Sequence, residues 1–137
     1  MTPVLAVAEK SIKSATANKI NIFLMVKKKI ILTGITASPG NAFGKVRIVK
    51  TSGEILKIKK EEIVVAPFLT PEAVVLLRKN RKIKGIITDR GGSTSHAAIL
   101  AREFGIPYIA GTGTASKKLK NNTAVNLDGG TGTVYEV

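Results

Sequence analysis

The stretch EEIVVAPFLTPEAVVLLRKNRKIKGIITDRGGSTSHAAILAREFGIPYIAG, residues 61–111, decides the fold because it alternates three predicted strands with two predicted helices. Ile63–Ala66 is a run of apolar residues, which is typical of a strand buried on both faces. Thr70 and Pro71 are residue types that favour the N-cap and the first position of a helix. Because strands and helices alternate, the stretch predicts a parallel α/β core.

The segments on either side of this stretch predict strands joined by tight turns. Residues 29–38 and 44–51 have the β-branched or alternating composition of strands, and residues 54–58 predict a further short strand. At the end of the chain, residues 123–137 predict two strands around an Asp-Gly-Gly turn. Since tight turns join antiparallel strands, the whole chain predicts a mixed α/β domain with a mainly parallel central sheet and a small antiparallel layer.

The composition narrows the class of protein. The chain has 137 residues, enough for one domain, and its aromatic share of 4% predicts an aliphatic core. It has no cysteine and one histidine, which excludes disulfides, thiolate metal sites and histidine-based metal clusters within one chain. No stretch approaches the roughly 18 continuous apolar residues of a membrane span. We therefore expect a cytoplasmic protein without a membrane partner.

The net charge of +13 raises the question of a nucleic-acid partner. Lysines are scattered along the chain, the longest uninterrupted run is Lys27–Lys29, and few aromatic residues could stack on bases. This distribution favours a solvated lysine-rich surface over a nucleic-acid interface. The same positive field would suit phosphorylated ligands or an acidic protein.

The first part of the chain differs from the rest in charge. Residues 1–29 hold six lysines and one glutamate, and we interpret them as a basic N-terminal extension of a domain at residues 30–137. The extension is a candidate for disorder. Alternatively, residues 1–24 result from a mis-assigned start, because Met25 is a second natural start. The alternative is an ordinary N-terminal helix packed on the domain.

The single histidine, His96, lies between a Gly-Gly turn and the second predicted helix. A predicted strand ends at Asp89, the helix begins around Thr94 or Ser95, and Gly105 ends it. The first N–H groups of a helix have no partner within the helix and favour an anion in front of them. The sequence therefore predicts an anion site beside the imidazole.

This setting suggests what the imidazole does. Gly91 and Gly92 allow the backbone to approach a ligand closely, and residues 93–95 add three hydroxyl groups. A neutral imidazole is a nucleophile, so the arrangement fits a histidine that accepts and donates a phosphoryl group. Two alternatives stay open: His96 caps or packs against the helix end, or it is a general base for hydrolysis. The general base is less favoured because no metal cluster or nucleophile elbow accompanies it.

Residues 88–113, TDRGGSTSHAAILAREFGIPYIAGTG, closely resemble the phosphohistidine signature of the phosphoenolpyruvate-utilising enzymes. These include phosphoenolpyruvate synthase, pyruvate phosphate dikinase and enzyme I of the sugar phosphotransferase system. Residues 34–49, 61–72 and 125–137 are similar to the same mobile domain in the same order. The resemblance covers residues 31–137 and implies a three-layer swivelling β/β/α fold.

The resemblance also implies roles for single residues. His96 matches the catalytic histidine that is phosphorylated on a ring nitrogen. The phosphate-binding residues implied around it are Gly91, Gly92, Thr94 and Ser95 of the signature, with Ser93 as a further hydroxyl donor. Arg102 matches the arginine of the A-R-E segment and is a phosphate or partner contact, or else a surface ion-pair residue. Arg90 is a candidate phosphate contact.

In the large enzymes of this family the domain swings between a nucleotide-binding domain, where ATP phosphorylates the histidine, and a barrel that binds pyruvate or phosphoenolpyruvate with magnesium. This sequence matches neither of these domains. We therefore expect a stand-alone phosphohistidine domain, a phosphotransferase component inactive alone, with separately encoded nucleotide-binding and phosphoenolpyruvate- or pyruvate-binding subunits. Mg²⁺ is expected on those partners with ATP or phosphoenolpyruvate, and no cofactor or metal on this chain alone. The alternative is a non-catalytic binding or regulatory module that reuses the fold.

Overall fold

The computed structural model describes residues 29–58, 61–79 and 83–136, which form eight β-strands and four α-helices. In chain order the elements are β1 (Ile30–Thr33), β2 (Ile35–Ser38), β3 (Asn41–Ile48), α1 (Ser52–Ile55), β4 (Glu62–Ala66), α2 (Pro71–Lys79), β5 (Ile83–Thr88), α3 (His96–Phe104), β6 (Tyr108–Ala110), α4 (Ala115–Lys118), β7 (Ala124–Asp128) and β8 (Thr133–Glu136). Apart from Lys29, the predicted N-terminal extension lies outside the described residues. Among the described helices, none is long and apolar enough to cross a membrane.

The strands form one sheet in the order β1-β8-β7-β3-β4-β5-β6-β2. Strands β3, β4, β5 and β6 pair in parallel, which confirms the parallel core. The other pairs, β1–β8, β7–β8, β3–β7 and β2–β6, are antiparallel. Within the described strands the antiparallel part is thus larger than the predicted small layer. The reason is that the hairpin of β7 and β8 inserts between β1 and β3, and β2 adds a further antiparallel edge.

Strands β1 and β2 connect the two ends of this strand order. β1 pairs with β8 at one end and β2 pairs with β6 at the other, so Gly34, which lies between β1 and β2, connects the two edge strands of the sheet. The sequence predicts one strand here, and the structure interrupts it at Gly34. A Cβ at Gly34 would lie 2.5 Å from the carbonyl oxygen of Ala110, so a larger residue would collide with the backbone of β6.

The parallel strands are buried on both faces. Val64 and Ile86 belong to a cluster that includes side chains of α2 and α3. Ile63 and Ile87 belong to a second cluster, formed with the antiparallel strands and α4. The alternation follows from the two-residue period of a strand, and the predicted two-sided burial of β4 is confirmed. Tyr108 is the one aromatic residue buried in the described part of the chain, so the core is aliphatic as the composition predicts.

Residues 54–58, predicted as a strand, instead lie in α1 and the turn after it. Ile55 and Ile58 are both buried, and their spacing of three places them on one side of a helical turn. Glu54 Oε1 accepts hydrogen bonds from the Lys50 N–H at 3.4 Å and the Thr51 hydroxyl at 3.3 Å. The strand prediction is wrong because the Glu54 contacts stabilise a helical turn, with which the spacing of Ile55 and Ile58 is compatible.

Candidate functional site

The candidate site lies at the carboxyl edge, which we define as the edge of the sheet where the parallel strands β4, β5 and β6 end. Helices that follow parallel strands begin at this edge, and ligands bind there in open α/β sheets. The N–H groups of Asp89 and Arg90 donate to the carbonyl oxygens of Ala66 at 3.1 Å and Pro67 at 2.9 Å. The loop after β4 and the loop after β5 therefore lie side by side. The second of these, residues 89–95, leads into α3 and is called the histidine loop below.

The start of α3 leaves backbone donors free beside His96. Ser95 is the N-cap residue, with φ −66° and ψ 155°, and its hydroxyl accepts a hydrogen bond from the Ala98 N–H at 3.1 Å. The N–H groups of His96 and Ala97 have no acceptor among the described residues. The His96 side chain is exposed. Two amides at the positive end of the helix thus lie unpaired next to the imidazole, where the sequence predicts an anion site.

The three hydroxyl residues before His96 do different things. Ser95 donates its only hydroxyl proton to the carbonyl oxygen of Gly92 at 3.0 Å, so this group braces the histidine loop. Ser93 and Thr94 are exposed, and their hydroxyls have no partner in the part of the chain that the structure describes. Two of the three predicted donors are therefore free to meet a ligand.

The two glycines of the histidine loop also differ. Gly91 has φ +120°, a conformation that side-chain-bearing residues rarely adopt. A Cβ on Gly91 would lie 3.3 Å from the hydroxyl oxygen of Tyr108. A Cβ on Gly92 would have nothing within 4 Å. Gly91 is thus required by the backbone, whereas Gly92 leaves open space at the mouth of the loop.

The two candidate arginines lie in different settings. Arg102 Nη1 donates to the carbonyl oxygens of Ala37 at 2.6 Å and Ser93 at 2.9 Å, and so fixes the histidine loop to β2. It has no carboxylate partner among the described residues. Arg90 is exposed, and its guanidinium carbon lies 5.3 Å from the centre of the Phe68 ring. This distance suits a cation–π contact that holds the guanidinium at the carboxyl edge.

Residues that sequence reasoning missed support the histidine loop from the side of β6. The Asp89 carboxylate accepts hydrogen bonds from the N–H of Ser116, at 2.8 Å, and from the Ser116 hydroxyl. The carbonyl oxygen of Thr88 accepts from the N–H and hydroxyl of Thr112, and that of Asp89 accepts from the Gly113 N–H. The signal was present in GTGTAS, residues 111–116, whose small and hydroxyl-bearing residues suit a bracing loop.

A buried hydroxyl pair lies behind the histidine loop. Thr88 Oγ1 and the Tyr108 hydroxyl are 2.9 Å apart, and Thr88 Oγ1 donates to the carbonyl oxygen of Arg90 at 2.8 Å. Burial raises the pKa of the Tyr108 phenol above its ordinary value of 10.0, and the hydrogen bond with Thr88 offsets part of that rise. The phenol is therefore protonated throughout the neutral range.

The candidate site is an open surface. Clefts of about 70, 360 and 520 Å³ in the described part of the chain are lined by residues other than His96. Among the described residues, no three histidine or acidic side chains are placed to hold a metal ion. An exposed nucleophile beside free amides is suited to exchange of a group with a docked partner.

A nucleophilic side chain at a helix N-terminus, on the carboxyl edge of parallel strands, is typical of phosphate-handling α/β domains. The model of one such family, the mobile domain of the phosphoenolpyruvate-utilising enzymes, matches residues 58–132, more than half of the chain. The chain therefore belongs to this family, as its signature predicts. The matched region includes the histidine loop and His96.

Relatives with this domain are much longer than the present chain. The chain is 43% identical over 108 residues to the phosphoenolpyruvate synthase of Pyrococcus furiosus, a match that covers 79% of this chain and 13% of that enzyme. A solution structure of Enzyme I is 36% identical, with a TM-score of 0.53, and the match covers 58% of this chain and 32% of that one. This chain is thus homologous to one domain of multidomain proteins.

A protein with a different name has a similar fold. The crystal structure of Thermococcus kodakaraensis aconitase X in its holo-form matches 77% of this chain and 97% of that one, with a TM-score of 0.60 and 24% identity. At that identity the match shows a shared fold.

Proposed function

We propose that this chain is a stand-alone phosphohistidine domain of the three-layer swivelling fold, which carries a phosphoryl group on His96 between separately encoded partners. One partner binds ATP, and the other binds pyruvate or phosphoenolpyruvate. The observation that carries the proposal is the exposed His96 side chain beside two unpaired amides, within the region matched to the family. The chain is a phosphotransferase component inactive by itself, because it supplies the nucleophile while its partners supply the substrates.

Transfer to His96 forms one bond and breaks another. A ring nitrogen of the neutral imidazole attacks the phosphorus of the donor, a P–N bond forms, and the P–O bond to the leaving group breaks. The other ring nitrogen then releases its proton to solvent. In the forward step to pyruvate, the methyl group of pyruvate loses a proton to give the enolate, and the enolate oxygen attacks the phosphorus. The P–N bond breaks, its electron pair returns to the ring nitrogen, and the imidazole takes up a proton from solvent.

The histidine loop holds the phosphoryl oxygens in this proposal. The N–H groups of His96 and Ala97 and the hydroxyls of Ser93 and Thr94 are the donors, and Gly92 leaves room for the group. The other predicted phosphate-binding residues act on the shape of the loop through the contacts already described, namely Gly91 by its conformation, Ser95 by its cap and Arg102 through the Ser93 carbonyl oxygen.

Arg90 is the candidate for a further phosphate contact. Its guanidinium is exposed at the carboxyl edge and is held over Phe68 without an ion pair among the described residues. A guanidinium can bind phosphate oxygens with two parallel hydrogen bonds. Mg²⁺ binds with ATP or phosphoenolpyruvate on the partners in this proposal, and the reaction is cytoplasmic.

The test is the intact mass of the chain after incubation with an extract of its source organism, at neutral to basic pH. ATP and phosphoenolpyruvate are supplied separately, and His96→Ala is run beside the wild type. We expect a gain of one phosphoryl mass that acid removes and that the variant lacks, and the effective donor identifies the loading partner. No gain with either donor, in an extract that phosphorylates a full-length phosphoenolpyruvate synthase, would overturn the proposal.

The second candidate is a binding or regulatory module without transfer chemistry. The observation that favours it is that the match covers 13% of the Pyrococcus furiosus enzyme, so most of that enzyme has no counterpart in this sequence. Such a module would bind its partner equally well as wild type and as His96→Ala. A carrier would instead transfer phosphate as the wild type and fail to do so as His96→Ala. Measuring transfer in these two proteins therefore separates the two candidates.

A further inference from the structure

Buried hydroxyl groups need hydrogen-bond partners, and the Thr88–Tyr108 pair finds one in the backbone of the histidine loop. Thr88 is fully buried, and Tyr108 is 1% exposed. The Thr88 hydroxyl donates to the carbonyl oxygen of Arg90, which belongs to the histidine loop. Since the pair lies in the core of the domain, it links the core to the loop in front of it.

The direction of each hydrogen bond follows from proton counting. A threonine hydroxyl has one proton, and Thr88 uses it on the Arg90 carbonyl oxygen, 2.8 Å away. The 2.9 Å contact with Tyr108 can then form only if the phenol donates to Thr88 Oγ1. The result is a chain of two bonds, from Tyr108 to Thr88 and from Thr88 to Arg90.

The last acceptor of these two hydrogen bonds belongs to the peptide group that precedes Gly91. The Arg90 carbonyl oxygen is part of the Arg90–Gly91 peptide, so its direction sets where Gly91 and the rest of the loop go. Gly91 itself has φ +120°, and a Cβ on it would lie 3.3 Å from the Tyr108 hydroxyl and 3.7 Å from Thr88 Oγ1. The two hydroxyls thus lie directly behind the turn that delivers the loop to His96.

We infer that Tyr108 is a positioning residue for phosphoryl transfer, which acts through Thr88 to hold the histidine loop in the shape that receives a phosphoryl group. This inference rests on the proposed function of His96. The phenol has an ordinary pKa of 10.0, which burial raises, so it is protonated at neutral pH and can donate this hydrogen bond. A bond that polarises the Thr88 hydroxyl also strengthens the bond that this hydroxyl donates.

The order of the two hydrogen bonds, from Tyr108 to Thr88 and from Thr88 to Arg90, predicts which substitution disturbs the loop more. Thr88→Val removes the hydroxyl that touches the loop, whereas Tyr108→Phe removes only the group that orients it. Since Tyr108 acts through Thr88, Tyr108→Phe should have no further effect on the loop in the Thr88→Val background. A purely structural role of the two residues would instead give losses of stability with no change at His96.

The experiment measures phosphorylation of His96 by phosphoramidate, a small donor that needs no partner. A P–N bond to the imidazole forms, the P–N bond of phosphoramidate breaks, and ammonia leaves. Because His96 is the single histidine, the acid-labile phosphate that the wild type gains and His96→Asn lacks reports on this residue. The rate is compared with that of N-acetylhistidine, at a temperature well below the unfolding midpoint of every variant. Tyr135→Phe is the matched control, since Tyr135 is a half-buried residue of β8, outside the Thr88–Tyr108 pair.

We expect the rate to fall about threefold in Tyr108→Phe and about tenfold in Thr88→Val and in the double variant, as the loss of one or two neutral hydrogen bonds would give. Tyr135→Phe should match the wild type. Equal rates in wild type and Tyr108→Phe, or additive losses in the double variant, would overturn the inference.

A second measurement separates this inference from the proposed function. If wild-type His96 reacts no faster than N-acetylhistidine, the phosphate-binding role of the loop fails. The role of Tyr108 is then decided by the amide resonances of residues 91–95. They should move in Tyr108→Phe and Thr88→Val and stay in place in Tyr135→Phe. Unmoved resonances in all three variants would contradict the positioning role.

Discussion

Helices α2 and α3 have the same capping contact but expose different groups at their N-terminal ends. Each follows a parallel strand at the carboxyl edge, and each has a hydroxyl that accepts from the amide three residues on: Thr70 from Ala73 and Ser95 from Ala98, both at 3.1 Å. At the next positions α2 has Pro71 and Glu72, whereas α3 has His96 and Ala97.

These two positions decide which helix start can hold an anion. Proline removes one of the free amides of α2, and Glu72 places a negative charge of the chain itself at the positive helix end. The first turn of α3 has no acidic residue, keeps both amides, and adds an imidazole. A helix N-terminus is therefore not a binding site by itself, since the first two residues close one start and open the other.

The largest expected effect comes from His96→Asn. The side chain is exposed, so the variant should fold as the wild type does, while acid-labile phosphate from phosphoramidate should disappear completely. Phosphate retained in the variant would mean that another residue carries it. Thermal unfolding measured beside the labelling separates lost chemistry from lost structure.

The next effect separates the two glycines of the histidine loop. Gly91→Ala should lower the free energy of unfolding by about 1–3 kcal/mol, because alanine is strained at φ +120°. Gly92→Ala should change it by less than about 0.5 kcal/mol, because its Cβ would meet open space. Urea unfolding of the two variants measures both values. A larger loss in Gly92→Ala than in Gly91→Ala would contradict the loop geometry.

Removing the two caps sharpens the comparison of the helices. Thr70→Ala and Ser95→Ala each delete one side-chain cap, so each should cost about 1 kcal/mol of unfolding free energy. The rate of labelling at His96 should fall in Ser95→Ala alone, because that hydroxyl also braces Gly92. Equal labelling rates in the two variants would show that the cap of α3 has no part in the site.

The smallest expected effect is at the N-terminus of α2, where Pro71 and Glu72 disfavour an anion. Glu72→Gln should lower the unfolding free energy by about 0.3–1 kcal/mol at low ionic strength and by less at high salt, since the carboxylate interacts with the helix dipole through solvent. Urea unfolding at two salt concentrations measures the difference. A loss that does not depend on salt would point to a packing effect in place of the electrostatic one.

Features encoded over short distances in the chain could be predicted from the sequence. The parallel core follows from the apolar runs and helix signals between residues 61 and 111, and the final hairpin follows from Asp-Gly-Gly. The break at Gly34 and the pairing of β2 with β6 could not, because they depend on the approach of Ala110, far along the chain. For α1, the apolar residues of EILKI, residues 54–58, fit both a helical turn and a short strand, so their spacing alone does not separate the two.

The candidate site divides in the same way. The position of His96 at the helix start and the caps around it are local, so the sequence predicts them. The contacts that brace the loop join distant residues: Asp89 with Ser116, Arg102 with Ala37, and Thr88 with Tyr108. Their partners are set by the pairing of β5, β6 and β2, and sequence patterns do not carry that information.

The central claim is that the phosphoryl group on His96 moves on to an acceptor. The most direct measurement starts from chain phosphorylated with phosphoramidate and purified, then mixed with extract and pyruvate at basic pH. We expect the phosphate to leave the chain and to appear in phosphoenolpyruvate, faster than it is lost in buffer. Release only as inorganic phosphate, at the rate seen in buffer, would contradict the carrier function.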